Sequence, residues 1–246
     1  GWIGLGDDAA AAASKTSDEA SERTRVVEGV AKRAESTIVT AYFEIPSKHS
    51  SGEYKRWITN MLSLQDAMVI YTTPDMVDTF RGLRKHASTL THIVPMQLED
   101  TKMATSYSAA FWQAQHRMDP ERGSHKDARL YWIWNEKTEF LWRTVDANPF
   151  QSAFFAWVDI GYFRSKAYNG QYMIRHIPSS LRKDQVLMLD VSSLIPKRLG
   201  KYVGGGFIGG YADGIQQWRT KYFAQLETHK HEFIGKDQPF MWRTCD

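Results

Sequence analysis

The stretch from Phe150 to Arg164, FQSAFFAWVDIGYFR, limits the fold more than any other part of the chain. Six of the seven residues from Ala153 to Asp159 are apolar, the run stops at Asp159, and Gly161 follows two places on. An apolar run this short, closed by a turn-forming glycine, fits a strand buried on both faces of a parallel or mixed sheet. Asp159 then stands at the strand's C-terminal end, outside which open α/β sheets bind their ligands. A carboxylate in that place needs a partner, because an uncompensated buried charge is costly. The partners at hand are a cation, Arg164, or backbone N–H groups of the turn. Spacing alone leaves two roles open: a ligand-binding carboxylate, or a structural aspartate that caps the turn.

Strand and helix patterns alternate before this run. Thr37 to Ile45 (TIVTAYFEI) is β-branched and aromatic and ends at Pro46, which predicts a first strand. The loop Ser47 to Gly52, with Lys48, is rich in donors for an anion. Tyr54, Trp57, Ile58, Met61 and Leu62 then recur at helical spacing, and Ala67 to Thr72 (AMVIYT) reads as a second strand. Pro74 and Asp75 open a helix to about His86, and Thr91 to Gln97 is a third strand, short or at an edge because of Pro95. This succession opens a doubly wound sheet. The expected fold class is α/β: one domain over residues 37–246, a central mixed, mostly parallel sheet flanked by helices. Residues 1–36 differ, with an alanine run from Ala9 to Ala13 and a capping-box match at Thr16 and Glu19. They are expected to form a flexible leader with a short helix, in the manner of a stem. A chain that opens on Gly1 instead of Met is expected to be a processed or shortened form, which leaves an upstream anchor open.

Further along, a helix is predicted around Tyr107 to Gln115, broken by Asp119-Pro120 to Gly123. Lys126 to about Val145 follows as a strong helix, with Leu130, Ile133, Trp134, Leu141 and Val145 on one face. Lys137 falls on that same face. Such a lysine either snorkels to solvent or turns its ammonium toward an anion near Asp159. Tyr162 to Arg182 is polar, aromatic and aperiodic, and is expected to be able to fold over a site. Val186 to Val191 is another strand. The GGGFIGG stretch from Gly204 to Gly210 permits very close approach of the backbone to a ligand or another strand, without matching a dinucleotide fingerprint. Ala212 to Gln225 returns to helical spacing, and Gly235-Lys236-Asp237-Gln238 is a polar turn.

Several function classes are disfavoured. A net charge of +3 is carried by scattered Lys and Arg, so no nucleic-acid partner is expected. One cysteine, Cys245, excludes an internal disulfide and a cysteine-based zinc site. No apolar run approaches the roughly 18 residues of a membrane span. No P-loop, nucleophile elbow, HExxH or EF-hand loop occurs. His229 and His231 would point together only on a strand. What remains is a pair of carboxylates, Asp159 and Asp237, with Lys137, Arg164 and Lys48 as cations. A hard carboxylate oxygen, completed by phosphate oxygens and water, suits Mg²⁺ or Mn²⁺ and points to a phosphate-bearing donor.

In these pieces the sequence resembles the HtrL/YibB-like proteins, a family read as glycosyltransferases of the GT-A nucleotide-diphospho-sugar fold. The matching segments are TIVTAYFEI with SKHS, YWIWNEK ending at Lys137, NPF with WVDIGYFR, GGGFIGG and GKDQ, in the family's order from about Thr37 to Phe240. The resemblance implies metal-assisted sugar transfer from a UDP- or GDP-sugar to a glycan acceptor. It implies Asp159 on a Mn²⁺ or Mg²⁺ ion and Lys137 near the pyrophosphate, with Lys48 and Arg164 as further donor-side cations. Thr40, Ala41 and Tyr42 would meet the nucleotide. Gly205, Gly206, Phe207 and Trp157 would line the sugar or acceptor side, and Asp237 with Gln238 would face the reacting carbon. The usual acidic motif has two aspartates separated by one residue. Here Asp159-Ile160-Gly161 lacks the second, so a further ligand would come from Asp237, His229 or His231. A catalytically inert glycan-binding module on the same fold is the alternative.

Overall fold

Alternation of side chains along extended backbone decides the layering of this molecule. The computed structural model describes residues 32–47, 49–194 and 202–244. Most of the expected leader, Lys48 and Cys245 therefore lie outside the described residues. The strands are β1 (Ser36–Tyr42), β2 (Ala67–Thr72), β3 (Thr91–Pro95), β4 (Phe154–Val158), β5 (Val186–Asp190) and β6 (Val203–Tyr211). The helices are α1 (Ser51–Leu62), α2 (Val77–Leu83), α3 (Lys102–Ser106), α4 (Ala109–Met118), α5 (Arg129–Ala147), α6 (Ala212–Thr228) and α7 (Asp237–Arg243).

One sheet runs in the order β3-β2-β1-β4-β6-β5. β1 pairs in parallel with β2 and β4, and β2 in parallel with β3. β6 runs antiparallel to both β4 and β5. Both faces are covered, which is why the inner strands read as continuous apolar runs. Val39, Ala41, Val69, Tyr71, Phe155 and Trp157 share a core with Phe140 and Leu141 of α5 and Trp218 and Tyr222 of α6. On the other face Ile38, Met68, Ile70 and Val158 meet Ile58, Met61 and Leu62 of α1 and Phe80 of α2. The order reverses at β1, with β2 on one side and β4 on the other. The ends of β1 and β4 thus form the crevice where open sheets bind ligands.

GGGFIGG, legible in sequence only as a place of close approach, is the body of β6. A Cβ on Gly209 would stand 2.8 Å from the Phe154 ring, and one on Gly205 would stand 2.9 Å from the Asp237 carboxylate. Neighbouring side chains fill the space that larger residues on this strand would take. The Tyr162–Arg182 insertion, expected to be able to fold over a site, does so only in part. Phe163 O accepts from Asn60 Nδ2 at 3.0 Å, and the Asp66 carboxylate accepts from Met173 N at 2.8 Å and Ile174 N at 3.0 Å. These bonds tie much of the insertion along α1 and the segment after it, and only its first residues reach the crevice.

Glu136 on α5 is fully buried and accepts from Lys102 N at 2.9 Å and Met103 N at 2.8 Å, closing the start of α3. Burial pushes its carboxyl up to about 7, against the two N–H bonds that favour the ionised form. Because the folded value lies above the ordinary 4.5, this stabilising contribution is complete below pH 4.5 and is lost as pH rises through about 7. Relative to Glu136→Gln, the wild type is expected to lose about 3 kcal/mol across that window. Urea unfolding of both proteins at a series of pH values checks this. A difference that stays flat with pH would show an unperturbed carboxyl.

Candidate functional site

Lys137, near the middle of α5, sends its ammonium to the sheet. Nζ lies 2.9 Å from Gly205 O on β6, 2.9 Å from Asp237 Oδ2 at the start of α7, and 3.2 Å from Asp159 Oδ1 just past β4. An ammonium has three N–H donors, and three acceptors occupy them. The residue is 4% exposed, so it does not snorkel. Burial pulls its pKa down, but the charges of Asp159 and Asp237 outweigh this and push it up to about 12. Burial likewise pushes the Asp237 carboxyl up, and Lys137 opposes that rise.

The turn carrying Asp237 is held by two buried amides. Gln115 Nε2 donates to Glu232 O at 2.8 Å, and its Oε1 accepts from Ile234 N at 2.7 Å. Asn135 Nδ2 donates to Ile234 O at 3.3 Å and Gly235 O at 3.2 Å, while Asn135 Oδ1 accepts from Tyr222 OH at 2.6 Å. A stretch that is polar in sequence is therefore fixed in place, with Asp237 beneath β6.

Asp159 differs from Asp237 in exposure. Its side chain is 41% exposed, against 6% for Asp237. Its N–H donates to Gly206 O at 3.0 Å, and its Oδ1 accepts from Trp157 Nε1 at 2.8 Å. Trp157, two residues earlier on the strand, projects to the same side. Oδ1 is thus taken by Trp157 and Lys137, and no hydrogen bond from the described residues engages Oδ2. Asp159 borders a cavity of about 440 Å³ at the ends of β1 and β4. Trp57 of α1, which also lines the cavity, is met by the Arg164 guanidinium at 4.6 Å, by the edge of His49 at 4.8 Å and by Tyr54 at 5.4 Å.

Beyond α4 the chain turns at Asp119, whose carboxylate is 1% exposed. Its Oδ2 accepts from Tyr131 OH at 2.6 Å and lies 2.5 Å from His125 Nδ1, and its Oδ1 accepts from Glu121 N at 2.8 Å. Burial pushes this carboxyl up, but those three donors outweigh it and hold the value below the usual range. The ligand atoms of Asp119, Glu121 and His125 lie within 4.8 Å of one another, a geometry that could hold a metal ion. Each carboxylate in the set is already engaged, Asp119 as described and Glu121 by the Lys236 ammonium.

Residues 34–238 match the family described as "Bacterial protein of unknown function (HtrL_YibB)". The chain belongs to the HtrL_YibB family. The match runs from just before β1 to the start of α7, so Lys137, Asp159, Gly205 and Asp237 all fall inside it. No curated protein matches the chain. Among solved structures it is similar to one titled "PaToxG Glycosyltransferase", at 8% identity and a TM-score of 0.42, over 87% of this chain and 69% of that one.

In this HtrL_YibB chain the cavity collects Ala41, Tyr42, Lys137, Trp157, Asp159, Arg164 and Gly206 of the residues expected from sequence. Thr40 is 0% exposed, its Oγ1 has no partner, and it does not line the cavity. Gly205 and Asp237 lie behind Lys137 and do not line the cavity. Phe207 packs against the α1 core, and Gln238 Nε2 donates to Val203 O at 3.2 Å, tying α7 to β6. His229 and His231 pair with Glu232 past the end of α6, away from the cavity lining. Sequence reasoning missed Trp57, His125 and Trp134 as cavity residues, while His49 and Tyr162 lie in the two stretches it marked as an anion-facing loop and a segment able to fold over a site. Helical spacing marked Trp57 and Trp134 only as core, and His125 follows a turn with no period to read.

Replacing Lys137 by Met leaves Asp237 buried without its cation, and is expected to cost about 3–5 kcal/mol near neutral pH. Burial favours the protonated Asp237, so the loss shrinks as pH falls and the carboxyl takes up a proton. Adding Asp237→Asn to Lys137→Met is expected to restore much of the stability. Urea unfolding at neutral and acid pH measures all three proteins. A small loss, unchanged with pH, would mean that the ammonium is solvated.

Proposed function

We propose that this chain is a glycosyltransferase that takes its sugar from a nucleoside diphosphate donor, of the UDP- or GDP-sugar type, and passes it to a glycan acceptor. The observation that carries the reading is the Asp159 carboxylate. It stands at the end of β4 where the strand order reverses, fixed through one oxygen and open to the cavity through the other.

The residues fit a divalent cation, with Mn²⁺ or Mg²⁺ as candidates. Mg²⁺ is commonly held by one or two carboxylates together with substrate phosphates and water, and Asp159 Oδ2 supplies one such oxygen. When bound, the ion would offset the charge that develops on the departing diphosphate. Arg164 adds a guanidinium at the cavity wall, suited to pairing with phosphate oxygens. Lys137 acts through Asp159. With its three N–H groups engaged, it sets the carboxylate's position and partly balances its charge. The Trp57 cluster and the backbone after β1 offer flat and polar surfaces for the base and sugar.

Thermal unfolding with a panel of nucleoside diphosphates, with and without Mn²⁺, tests the reading. At about a hundred times its dissociation constant a ligand adds about 2.7 kcal/mol, which for a chain of this size raises Tm by about 5–10 °C. The expected result is a Mn²⁺-dependent shift with UDP or GDP that Asp159→Asn abolishes. A shift with glycans but with no nucleotide would instead identify a glycan-binding module.

A further inference from the structure

A transferase site needs a group to take the acceptor's proton if the reaction inverts configuration, and Asp237 is not placed to do so. It is buried, paired with Lys137 and absent from the cavity lining. His125 does line the cavity. Its side chain is 8% exposed, and its orientation is fixed on several sides. Nδ1 is held by Asp119 at 2.5 Å, the backbone carbonyl is met by His116 Nε2 at 2.6 Å, and the ring stands edge-on to Trp134 at 4.9 Å. Asp119 is itself fixed by Tyr131 and by Glu121 N. A carboxylate at Nδ1 keeps the proton there and leaves Nε2 as the acceptor. Among the described residues, the only solvent-inaccessible side-chain polar atoms without a partner are Thr40 Oγ1 and Trp132 Nε1. No hydrogen bond engages His125 Nε2, so this atom is one that solvent reaches, and the cavity is what the residue borders.

We infer that His125, oriented by Asp119, is the general base that takes the proton from the acceptor hydroxyl in this cavity; the inference rests on the transferase reading above. The hydroxyl proton passes to Nε2 as the hydroxyl oxygen forms its bond to the anomeric carbon. The bond from that carbon to the diphosphate oxygen breaks, and its electron pair leaves with the nucleoside diphosphate. The imidazolium then gives its proton to solvent. His125 touches the acceptor, whereas Asp119 is a positioning residue that sets the tautomer. The reaction so catalysed inverts the anomeric configuration, since one direct displacement occurs.

The test uses the whole chain with UDP- and GDP-hexoses in water, reading nucleoside diphosphate release alongside the nucleotide-induced Tm shift. His125→Gln is expected to lower release by about 100-fold or more while leaving the Tm shift unchanged. His125→Ala is expected to regain part of its release when imidazole is added, which a structural role would not produce. Long-range ¹H–¹⁵N spectra should place the His125 proton on Nδ1, and Asp119→Asn should move it to Nε2. Release kept within threefold in His125→Gln overturns the inference, as does loss of release together with the Tm shift. So does a metal ion bound in the wild type and lost in His125→Gln, since that would assign Asp119, Glu121 and His125 to a metal. So too does a wild type that binds nucleotide but releases none, because a base open to the cavity would activate water. Absence of any nucleotide-induced shift is the separate failure, which removes the transferase reading and this inference with it.

Discussion

The buried ammonium of Lys137 is the interaction on which the rest of the structure depends. It joins four elements in one place: α5, which carries it, β6 through Gly205 O, α7 through Asp237, and the end of β4 through Asp159. Removing the Asp237 carboxylate and the ammonium from water is unfavourable unless every donor is used. Here every donor is used. The helices on this face therefore do more than cover the sheet, since one of them supplies the charge that lets two acidic segments meet beneath it.

That requirement explains features that look unrelated along the chain. Lys137 is 68 residues from Gly205 and 100 from Asp237. Gly205 contributes its carbonyl to the ammonium and, by lacking a Cβ, leaves room for the Asp237 carboxylate. The polar turn before Asp237 is held by Gln115 and Asn135, whose amides replace the water that turn would otherwise need. Glycine strand, helix lysine and late polar turn are one assembly.

Much of the fold was legible because burial on both faces leaves a direct mark on a strand. TIVTAYFEI, AMVIYT and AFFAWV each became an inner strand, and the apolar stripe from Leu130 to Val145 became α5. β6 was not legible as a strand, because glycine carries no side-chain alternation to read. Within the site, Asp159 and Lys137 could be read because an apolar context made each conspicuous. His125 could not, since its place depends on Asp119 and Tyr131, six residues away on either side, and on a turn with no regular period. The burial of Asp237 was equally hidden. A charged residue in a polar turn reads as surface until the amides that enclose it are seen.

Asp159 and Asp237 share one ammonium yet have different surroundings, and the difference divides their roles. The enclosed Asp237, with Lys137 and the Gly205 region around it, holds the assembly together. Asp159 is half-exposed, borders the cavity, and has only Oδ1 held, which is what suits it to the ligand-binding role proposed above. A carboxylate engaged with a bound cation is a weak proton acceptor, because the positive charge favours its ionised form. On the proposed transferase reading, a cavity whose Asp159 meets a cation gains from a second proton acceptor. The imidazole of His125, backed by the Asp119 carboxylate and bordering the same cavity, is the group inferred for that role, and it adds no further negative charge there.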